Sequence, residues 1–327
     1  MSRSRWLAGP PERHHVLALY RSLLGREPES EAVIAAQIEQ AATVNEVRAR
    51  IMASTEFRAG LAPDRRGPLP IPLPPAEIDT DASAEELAAL LARMDEYWSR
   101  IGEEAPHWSV LTEERFRPER ITEAKAAFYG TGGVDEAILA GILRAEGART
   151  GDLRCVEFGC GVGRVTLRLS PLFAEVVGCD ISAPHLAVAR EEAAARGLHN
   201  LVWHRTRAGR LMPDGGWDVW FSRLVLQHNP PPVMMEVLRR AFDGLRPGGL
   251  AVFQVPTWGR GYRFDLRAYL SRGGPPGMEL HALPMRAVCG VAREAGLEGL
   301  DVREDGHMAF GNTADWLSNL FVFRRPG

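Results

Sequence analysis

The chain has 327 residues, a formal net charge of −3 at pH 7 and a hydrophobic content of 45%. By length it holds one large domain or two to three smaller ones, and its hydrophobic content is sufficient for an ordinary core. A balanced charge and a pI of about 6.3 exclude the basic footprint of a nucleic-acid-binding protein or of one drawn to anionic membranes.

The cysteines and the apolar runs bear on location. Four cysteines are spaced without a Cys-x-x-Cys pair, which argues against a metal site. Three of them lie on or beside predicted strands, where cysteine packs as a small hydrophobe: Cys155, Cys160 and Cys179. No apolar run approaches the ~18 residues of a membrane span, and residues 1–15 lack the apolar core of a signal peptide. We therefore expect a cytoplasmic protein with no membrane span and no metal.

Residues 13–60 are predicted to form a separate helical unit. Apolar side chains at helical spacing open it, and Gly25 and Pro28 end that first helix. Thr43 and Glu46 have the spacing of a capping box, which predicts the start of a later helix.

Two strings in this unit, Leu-Tyr-Arg-Ser-Leu-Leu-Gly-Arg-Glu-Pro (19–28) and Ser-Thr-Glu-Phe (54–57), resemble a small bacterial helical domain of unknown function. The resemblance implies that residues 1–61 are an accessory domain of a kind often attached to enzymes that build or decorate surface glycans. A protein partner of this domain is one hypothesis. The alternative is a packing or solubility module without a chemical role.

Two segments separate the helical unit from the next motif. Residues 62–79 are rich in proline, which suits neither a helix interior nor a sheet, and an extended linker is predicted there. Residues 80–150 are predicted to be helical, and their first helix begins at a capping box formed by Ser83 and Glu86.

A strand, a glycine turn and a second strand come next. The apolar run Leu153–Phe158 predicts a strand buried on both faces. Glycines that allow a sharp turn and a close backbone approach to a ligand follow at once: Gly159, Gly161 and Gly163. A helix is predicted over Arg164–Leu172, and the strand Glu175–Cys179 then ends at Asp180. A carboxylate there can accept both hydroxyls of a ribose, so the arrangement predicts an adenosine-containing ligand.

The glycine spacing distinguishes between adenosine ligands. A dinucleotide fingerprint, G-x-G-x-x-G, would place its third glycine at Arg164. The chain instead has E-x-G-x-G-x-G from Glu157 to Gly163, which resembles motif I of the class I S-adenosylmethionine-dependent methyltransferases. The resemblance implies S-adenosylmethionine as the cofactor, with Glu157 toward its amino-acid end and with Asp180 and Ile181 among its other contacts.

Strands and helices alternate beyond this motif. Further strands are predicted over Leu201–His204, Trp217–Ser222, Leu250–Val255, Leu300–Arg303 and Leu317–Arg324. Helices are predicted over Pro184–Arg196, Val233–Leu245 and Pro284–Ala295. Trp217-Asp218 and the Leu-Arg-Pro-Gly-Gly-Leu string (245–250) resemble the family's fourth strand start and the turn before its fifth. The resemblance covers 151–327 and implies an α/β fold, a Rossmann-like doubly wound seven-stranded sheet with a terminal antiparallel strand, beside the small N-terminal all-α domain.

The resemblance also implies a lid and more cofactor contacts. Residues 80–150 would cover cofactor and substrate as a helical lid. Within them Tyr129 is favoured as a contact of the cofactor's amino-acid moiety, whereas packing against the sheet is favoured for Trp98 and Trp108. Where the family often has an acid that reaches the adenine, this chain offers the Thr206 hydroxyl or a backbone group.

Candidate catalytic side chains lie just past the fourth predicted strand, where open α/β sheets bind ligands. Ser222 there is a further candidate cofactor contact. His228 lies in a Val-Leu-Gln-His-x-Pro stretch that resembles a common family pattern. An imidazole with a pKa near ~6.5 could take a proton from a hydroxyl or amine, or His228 only shapes the helix start. His107 and His281 are weaker candidates of the same kind.

The loop over 256–283 is where this fold inserts substrate-binding residues. The candidate substrate contacts are His107, Arg260, Tyr262, Arg263 and His281. Because arginine pairs with anions bidentately, the loop suits a phosphorylated or carboxylated sugar. The alternative is a solvated loop with packing aromatics.

The sequence therefore predicts methyl transfer from S-adenosylmethionine to an oxygen or nitrogen nucleophile of a small molecule, a glycan or a sugar precursor. Three alternatives stay open. One is a non-catalytic scaffold protein that keeps the fold. An NAD-dependent oxidoreductase is disfavoured by Arg164 and by the final strand pair. An S-adenosylmethionine enzyme of another reaction type has no supporting feature.

Overall fold

The computed structural model describes the chain in four stretches: residues 9–60, 77–272, 277–305 and 315–327. Most of the linker predicted over 62–79 lies outside them. The chain divides into two compact units, Met1–Ala76 with Asp301–Glu304 and Glu77–Leu300 with Asp305–Gly327.

The first unit is helical. Its helices are α1 (Arg13–Leu19), α2 (Glu31–Glu39), α3 (Val44–Ala53) and α4 (Thr55–Gly60). A π-helical turn extends α1 to Gly25, whose φ of 68° ends the helix in the left-handed region. Thr43 caps α3 as predicted, because its Oγ1 accepts the Glu46 N–H at 3.2 Å. Buried aliphatic side chains of α1, α2 and α3 form one cluster.

The second unit is built on a seven-stranded sheet, whose sixth strand continues into residues 301–304 of the first unit. Its strands are β1 (Arg154–Phe158), β2 (Glu175–Asp180), β3 (Leu201–Arg205), β4 (Trp217–Ser222), β5 (Leu245–Gly259), β6 (Glu298–Glu304) and β7 (Trp316–Arg324). Their order is β3-β2-β1-β4-β5-β7-β6, with β1 to β5 parallel and β7 antiparallel to β5. The predicted Rossmann-like doubly wound sheet with a terminal antiparallel strand is confirmed.

Helices precede and connect the strands. They are α5 (Ala84–Glu104), α6 (Pro106–Val110), α7 (Ile121–Thr131), α8 (Gly133–Ala145), α9 (Thr166–Leu169), α10 (Ala183–Ala195), α11 (Pro231–Asp243), α12 (Leu266–Ser271) and α13 (Met285–Glu294). The predicted capping box at the start of α5 is present. The helix predicted over 164–172 is shorter, because Pro171 lies in a 3₁₀ turn. Strand β5 is longer than predicted, because it also pairs with Trp217 and extends along β7.

The strand core is apolar on both faces. Strands β1, β4 and β5 bury Cys155, Val219 and Val252 completely. Aromatic rings of β5 and β7 stack on each other, with Phe253 and Phe321 at a centroid distance of 5.2 Å. Burial on both faces is what a central parallel sheet requires. Because β1 to β5 run parallel, their carboxyl ends lie at the same edge of the sheet.

The hydropathy of the helices and the state of the cysteines bear on membrane insertion and on disulfide bonding. Among the described residues, none of the helices combines the length and the apolar character that a membrane crossing needs. All four cysteines carry free thiols, and three of them are buried.

Helix α5 lies close to the start of α10 at Gly102. A Cβ there would lie 2.6 Å from His185 Nδ1 and 2.7 Å from Ser182 Oγ, both at the start of α10. Ser182 caps α10 through the His185 N–H, so neither side chain can move freely. Glycine therefore allows α5 to lie over the carboxyl end of β2.

We predict that Gly102→Ala lowers the free energy of unfolding by about 1–3 kcal/mol, because the new methyl group overpacks this contact. Gly130→Ala is the matched control, since Gly130 lies in α7 with nothing within 4 Å of its added Cβ. It should be neutral or stabilising by up to about 1 kcal/mol from helix propensity. Urea denaturation of both variants measures this, and equal effects of the two substitutions would contradict it.

Candidate active site

The glycine turn after β1 is tied to the end of β2 by Asp180. Its Oδ2 accepts the Gly161 N–H at 2.7 Å, and its Oδ1 accepts the Ser182 N–H at 2.8 Å. Gly159, Gly161 and Gly163 have φ values of 76°, 53° and 80°, in the left-handed region that favours glycine. One carboxylate thus fixes the turn while standing at the carboxyl edge of the sheet.

At two of the three glycines, neighbouring side chains also leave no room for a Cβ. A Cβ at Gly159 would lie 2.1 Å from Val225 Cγ1, and one at Gly161 would lie 2.8 Å from Val110 Cγ2. Gly163 is turned away, toward Ala189 and other side chains at 3.4 Å. The glycines of the motif therefore allow Val225 and Val110 to pack onto the turn, as well as allowing a ligand to approach it.

The turn opens onto a cavity of about 1030 Å³, counted with its open mouth. From the sheet and its loops it is lined by Glu157–Gly161, Arg164, Val165, Asp180, Ile181, Thr206, Phe221, Arg223–Val225, His228, Asn229 and Val233. Helices α5, α6 and α10 contribute Leu91, Met94, Trp98, Ser109, Val110 and His185. The lining combines apolar surface with convergent polar and charged groups, as ligand sites do.

Glu157 lies at the inner end of this cavity. The side chain is buried and accepts a hydrogen bond from the Thr166 hydroxyl. Burial raises the pKa of Glu157 to about 8, against the ordinary 4.5, and the neighbouring carboxylates Asp135 and Asp180 act in the same direction. The carboxyl group is therefore mostly protonated at neutral pH in this structure.

Four buried charged side chains form an ion-pair array beside Glu157. Asp135 of α8 lies between two guanidinium groups, accepting from Arg223 at Oδ1 and pairing with Arg164 at 2.8 Å through Oδ2. Arg223 also makes a fork to Asp305, with Nε to Oδ2 at 2.8 Å and Nη2 to Oδ1 at 3.0 Å. The array joins the glycine turn, the end of β4 and the end of β6.

His228 lies at the cavity, as predicted, but both ring nitrogens are engaged. Nδ1 donates to the Glu279 carbonyl at 2.9 Å, and Nε2 lies 3.3 Å from the Gln227 amide nitrogen. Burial lowers the pKa of His228 to about 4. The geometry does not support the predicted role as a general base, because the ring is neutral at physiological pH and has no free lone pair.

A buried pair of amides holds this arrangement. Gln254 Nε2 donates to Gln227 Oε1 at 3.2 Å, which directs the Gln227 amide nitrogen at His228. Gln254 Oε1 accepts the Leu224 N–H at 2.8 Å. Leu224 has a φ of 61°, a conformation that costs roughly 1–2 kcal/mol for a residue other than glycine. The loop between β4 and α11 is therefore held in one conformation by side chains of the sheet.

The roof of the cavity is apolar. Leu91, Met94 and Trp98 of α5 face it, and the Trp98 ring centroid lies 5.7 Å from that of His228. The sequence favours packing of Trp98 against the sheet, whereas the structure places Trp98 in the cavity lining. Trp108 does not line the cavity, and the Arg117 guanidinium lies 4.4 Å from its ring centroid.

Three predicted contacts do not reach the cavity. The Ser222 hydroxyl points into the sheet and donates to the Phe158 carbonyl at 3.0 Å. Tyr129 donates to the Val162 carbonyl at 3.3 Å, so it supports the glycine turn from behind. His107 packs edge-on against Phe128, and burial lowers its pKa to about 4. These three side chains are directed away from the cavity, and the sequence alone does not reveal side-chain direction.

The loop residues predicted to bind substrate also lie outside the cavity lining. Arg260 pairs with Asp315 and Arg263 with Glu77, and both arginines are at least 70% exposed. Tyr262 and His281 face each other instead, with the hydroxyl 2.8 Å from Nδ1. His281 Nε2 lies 3.1 Å from a Glu279 oxygen, so this group supports the chain segment that holds His228.

The structure thus brings together seven of the predicted site residues: Glu157, Gly159, Gly161, Asp180, Ile181, Thr206 and His228. Sequence reasoning missed Arg164, Asp135 and Arg223. A signal for Arg223 existed, because it directly follows β4 at the carboxyl edge where ligands bind. No local signal marks Asp135, which meets Arg223 across 88 positions of sequence.

Comparison with known proteins agrees with this geometry. Residues 155–249 match the family described as "Methyltransferase domain". The chain is 35% identical over 100 residues to a ubiquinone biosynthesis O-methyltransferase of Ruegeria pomeroyi, covering 31% of this chain and 40% of that protein. It is 37% identical over 104 residues to a trans-aconitate 2-methyltransferase of Deinococcus radiodurans, covering 31% and 37%. The chain thus spans about two fifths of the length of these relatives.

A solved structure shows the same fold. It is a magnesium protoporphyrin IX methyltransferase from Synechocystis with bound S-adenosylhomocysteine, at a TM-score of 0.51 and 16% identity. The likeness covers 72% of this chain and 99% of that one. At this identity the likeness establishes the fold.

The raised pKa of Glu157 predicts a specific pH dependence of stability. The protonated side chain contributes stability that is complete below the ordinary pKa of 4.5 and is lost as pH rises through about 8. Relative to Glu157→Gln, which cannot ionise, the wild type should therefore lose up to about 5 kcal/mol of unfolding free energy between pH 4.5 and pH 8. Denaturation of both proteins across this range measures it, and parallel pH profiles would refute the raised pKa.

Proposed function

We propose that this chain, whose residues 155–249 carry a class I S-adenosylmethionine-dependent methyltransferase domain, transfers a methyl group to a small-molecule acceptor. The cofactor of this domain is S-adenosylmethionine. The observation that carries the proposal is the position of the cavity, which lies between the glycine turn, Asp180 and an apolar roof within the matched segment and its flanking helices.

The residues present fit the cofactor. Asp180 and Thr206 lie at the carboxyl ends of β2 and β3, where a nucleoside is held in this sheet topology. Glu157 and Arg164 also line the cavity, where the carboxyl oxygens of Glu157 can accept from an ammonium group and the Arg164 guanidinium can pair with the carboxylate of an amino-acid moiety. Nε of Arg164 is buried and has no hydrogen-bond partner in the described part of the chain, so it retains a donor for a carboxylate.

The residues of the chain would act mainly by positioning. When bound, S-adenosylmethionine supplies a methyl group on a positively charged sulfur, which is already activated for transfer. Val110 closes over Gly161, and the roof residues Met94 and Trp98 exclude water from the remaining space. Holding an acceptor in line inside such a site can supply ~7–11 kcal/mol of barrier reduction without an ionisable catalyst.

The acceptor side of the cavity favours a molecule with an apolar body. Leu91, Met94, Trp98 and Val233 are the apolar side chains that helices α5 and α11 contribute to the lining. The named acceptors of the relatives differ from one another, so they do not identify this one. A saccharide acceptor stays a prediction without a contact in the described cavity, because Arg260 and Arg263 lie outside its lining. A cytoplasmic location and a protein partner of the N-terminal unit also stay predictions.

We expect S-adenosylmethionine and S-adenosylhomocysteine to bind with micromolar affinity, about −8 kcal/mol, and NAD not to bind. Asp180→Ala should weaken binding by roughly 1.5–3 kcal/mol through loss of the charged acceptor. Asp214→Ala is the control, because that carboxylate is 86% exposed and pairs with Arg210 outside the cavity. Calorimetric titration measures both effects. Absence of binding by either sulfur ligand would refute the proposed function.

A further inference from the structure

The two cationic side chains that line the cavity in the described part of the chain are Arg164 and Arg223. Each is held by buried carboxylates: Asp135 pairs with both arginines, and Asp305 pairs with Arg223. The array contains two positive and two negative groups, so it is neutral as a whole. Its guanidinium planes are fixed before any ligand arrives, which is what anion recognition by arginine requires.

Both guanidinium groups retain hydrogen-bonding capacity. Of the five N–H groups of Arg223, the two carboxylates accept three, through Nε, Nη1 and Nη2. Arg164 has a buried Nε without a partner in the described residues. Buried donors are usually satisfied, so these groups indicate that a ligand with acceptor oxygens completes them. Arg164 adjoins Glu157 at the cofactor side, which leaves Arg223 for the acceptor.

Most of the other ionisable side chains in the described cavity lining have their acceptor atoms engaged. Both nitrogens of His228 are engaged, and each oxygen of Asp180 accepts a backbone N–H. Glu157 accepts from a hydroxyl and holds its proton at neutral pH. His185 has Ser109 Oγ 2.7 Å from its Nε2, whereas its Nδ1 is buried without a hydrogen-bond partner in the described residues, at a place where a Cβ on Gly102 would lie 2.6 Å away.

We propose that the methyl acceptor is a carboxylic acid with an apolar body, methylated on a carboxylate oxygen, and that Arg223 orients this carboxylate. The inference rests on the proposed function and names its substrate class. Arg223 is then the specificity-determining residue at the carboxyl end of β4, and its two carboxylate partners are positioning residues.

The chemistry balances without a proton transfer. A lone pair of the carboxylate oxygen forms the new bond to the methyl carbon, as the bond from that carbon to sulfur breaks. The bonding pair stays on sulfur, so an anion and a sulfonium cation give a neutral ester and a neutral thioether. A carboxyl group with a pKa near ~4 is already ionised at neutral pH. An alcohol would have to lose its proton during the reaction. Among the described lining residues, the imidazole nitrogen without a partner is Nδ1 of His185, and burial lowers the pKa of that ring, which makes it a weak proton acceptor.

The experiment uses probes that share one skeleton. With the chain saturated by S-adenosylhomocysteine, calorimetry compares 3-phenylpropionate with 3-phenylpropanamide, 3-phenylpropanol and 3-phenylpropylamine. The proposal expects the carboxylate to bind at least about ten-fold more tightly than each of the others, because only it accepts charged hydrogen bonds from Arg223. Mass spectrometry of the reaction with S-adenosylmethionine should find the methyl ester.

Arg223→Lys tests the named residue, because lysine keeps the charge but loses the planar fork. It should reduce carboxylate binding at least ten-fold and leave alcohol binding unchanged. Arg240→Lys is the control, an exposed arginine paired with Glu236 on α11. If Arg223→Lys does not fold, the probe preference of the wild type decides the proposal alone.

Several results would overturn the proposal. One is equal binding of all four probes or binding of none, and another is methylation of the alcohol or the amine rather than the acid. These outcomes differ from failure of the proposed function, in which S-adenosylhomocysteine itself does not bind. A preference for the carboxylate that survives in Arg223→Lys would remove Arg223 from its assigned role.

Discussion

The buried array of Arg164, Asp135, Arg223 and Asp305 is the interaction on which the site depends. It connects the glycine turn, helix α8, the end of β4 and the end of β6, which are distant in sequence. Removing one partner from such an array leaves an unpaired buried charge, at a cost of about 3–5 kcal/mol. The array therefore holds the segments on both sides of the cavity in fixed positions. Its two cations, Arg164 and Arg223, also line the cavity.

The polar edge of the cavity and its apolar roof contribute to ligand binding in different ways. Asp180 fixes the turn through Gly161 and Ser182, and the absence of side chains at Gly159 and Gly161 allows Val225 and Val110 to close onto it. Two glycines of the turn thus also determine how closely Val225 and Val110 pack against it. Substitution in the turn should then disturb water exclusion and cofactor affinity together, since the same close contacts serve both.

The fold was predictable because its signals are local. Unbroken apolar runs such as Val176–Cys179 predict strands buried on both faces, and glycine or proline marks most helix ends. The same logic located Glu157 and Asp180 at the sheet edge. Side-chain direction was not predictable: Ser222 turns into the sheet and Tyr129 supports the turn from behind. The ion-pair array was missed because its members meet only after folding.

The proposed binding mode places the cofactor and an apolar acid in one cavity, beside the array. A crystal structure of the chain grown with S-adenosylhomocysteine tests it most directly. We expect the ribose hydroxyls of the ligand within hydrogen-bonding distance of Asp180 and its amino-acid end between Glu157 and Arg164. The sulfur should face the space between Trp98 and Arg223. Density for the ligand elsewhere, or a ligand whose ribose lies away from Asp180, would contradict it.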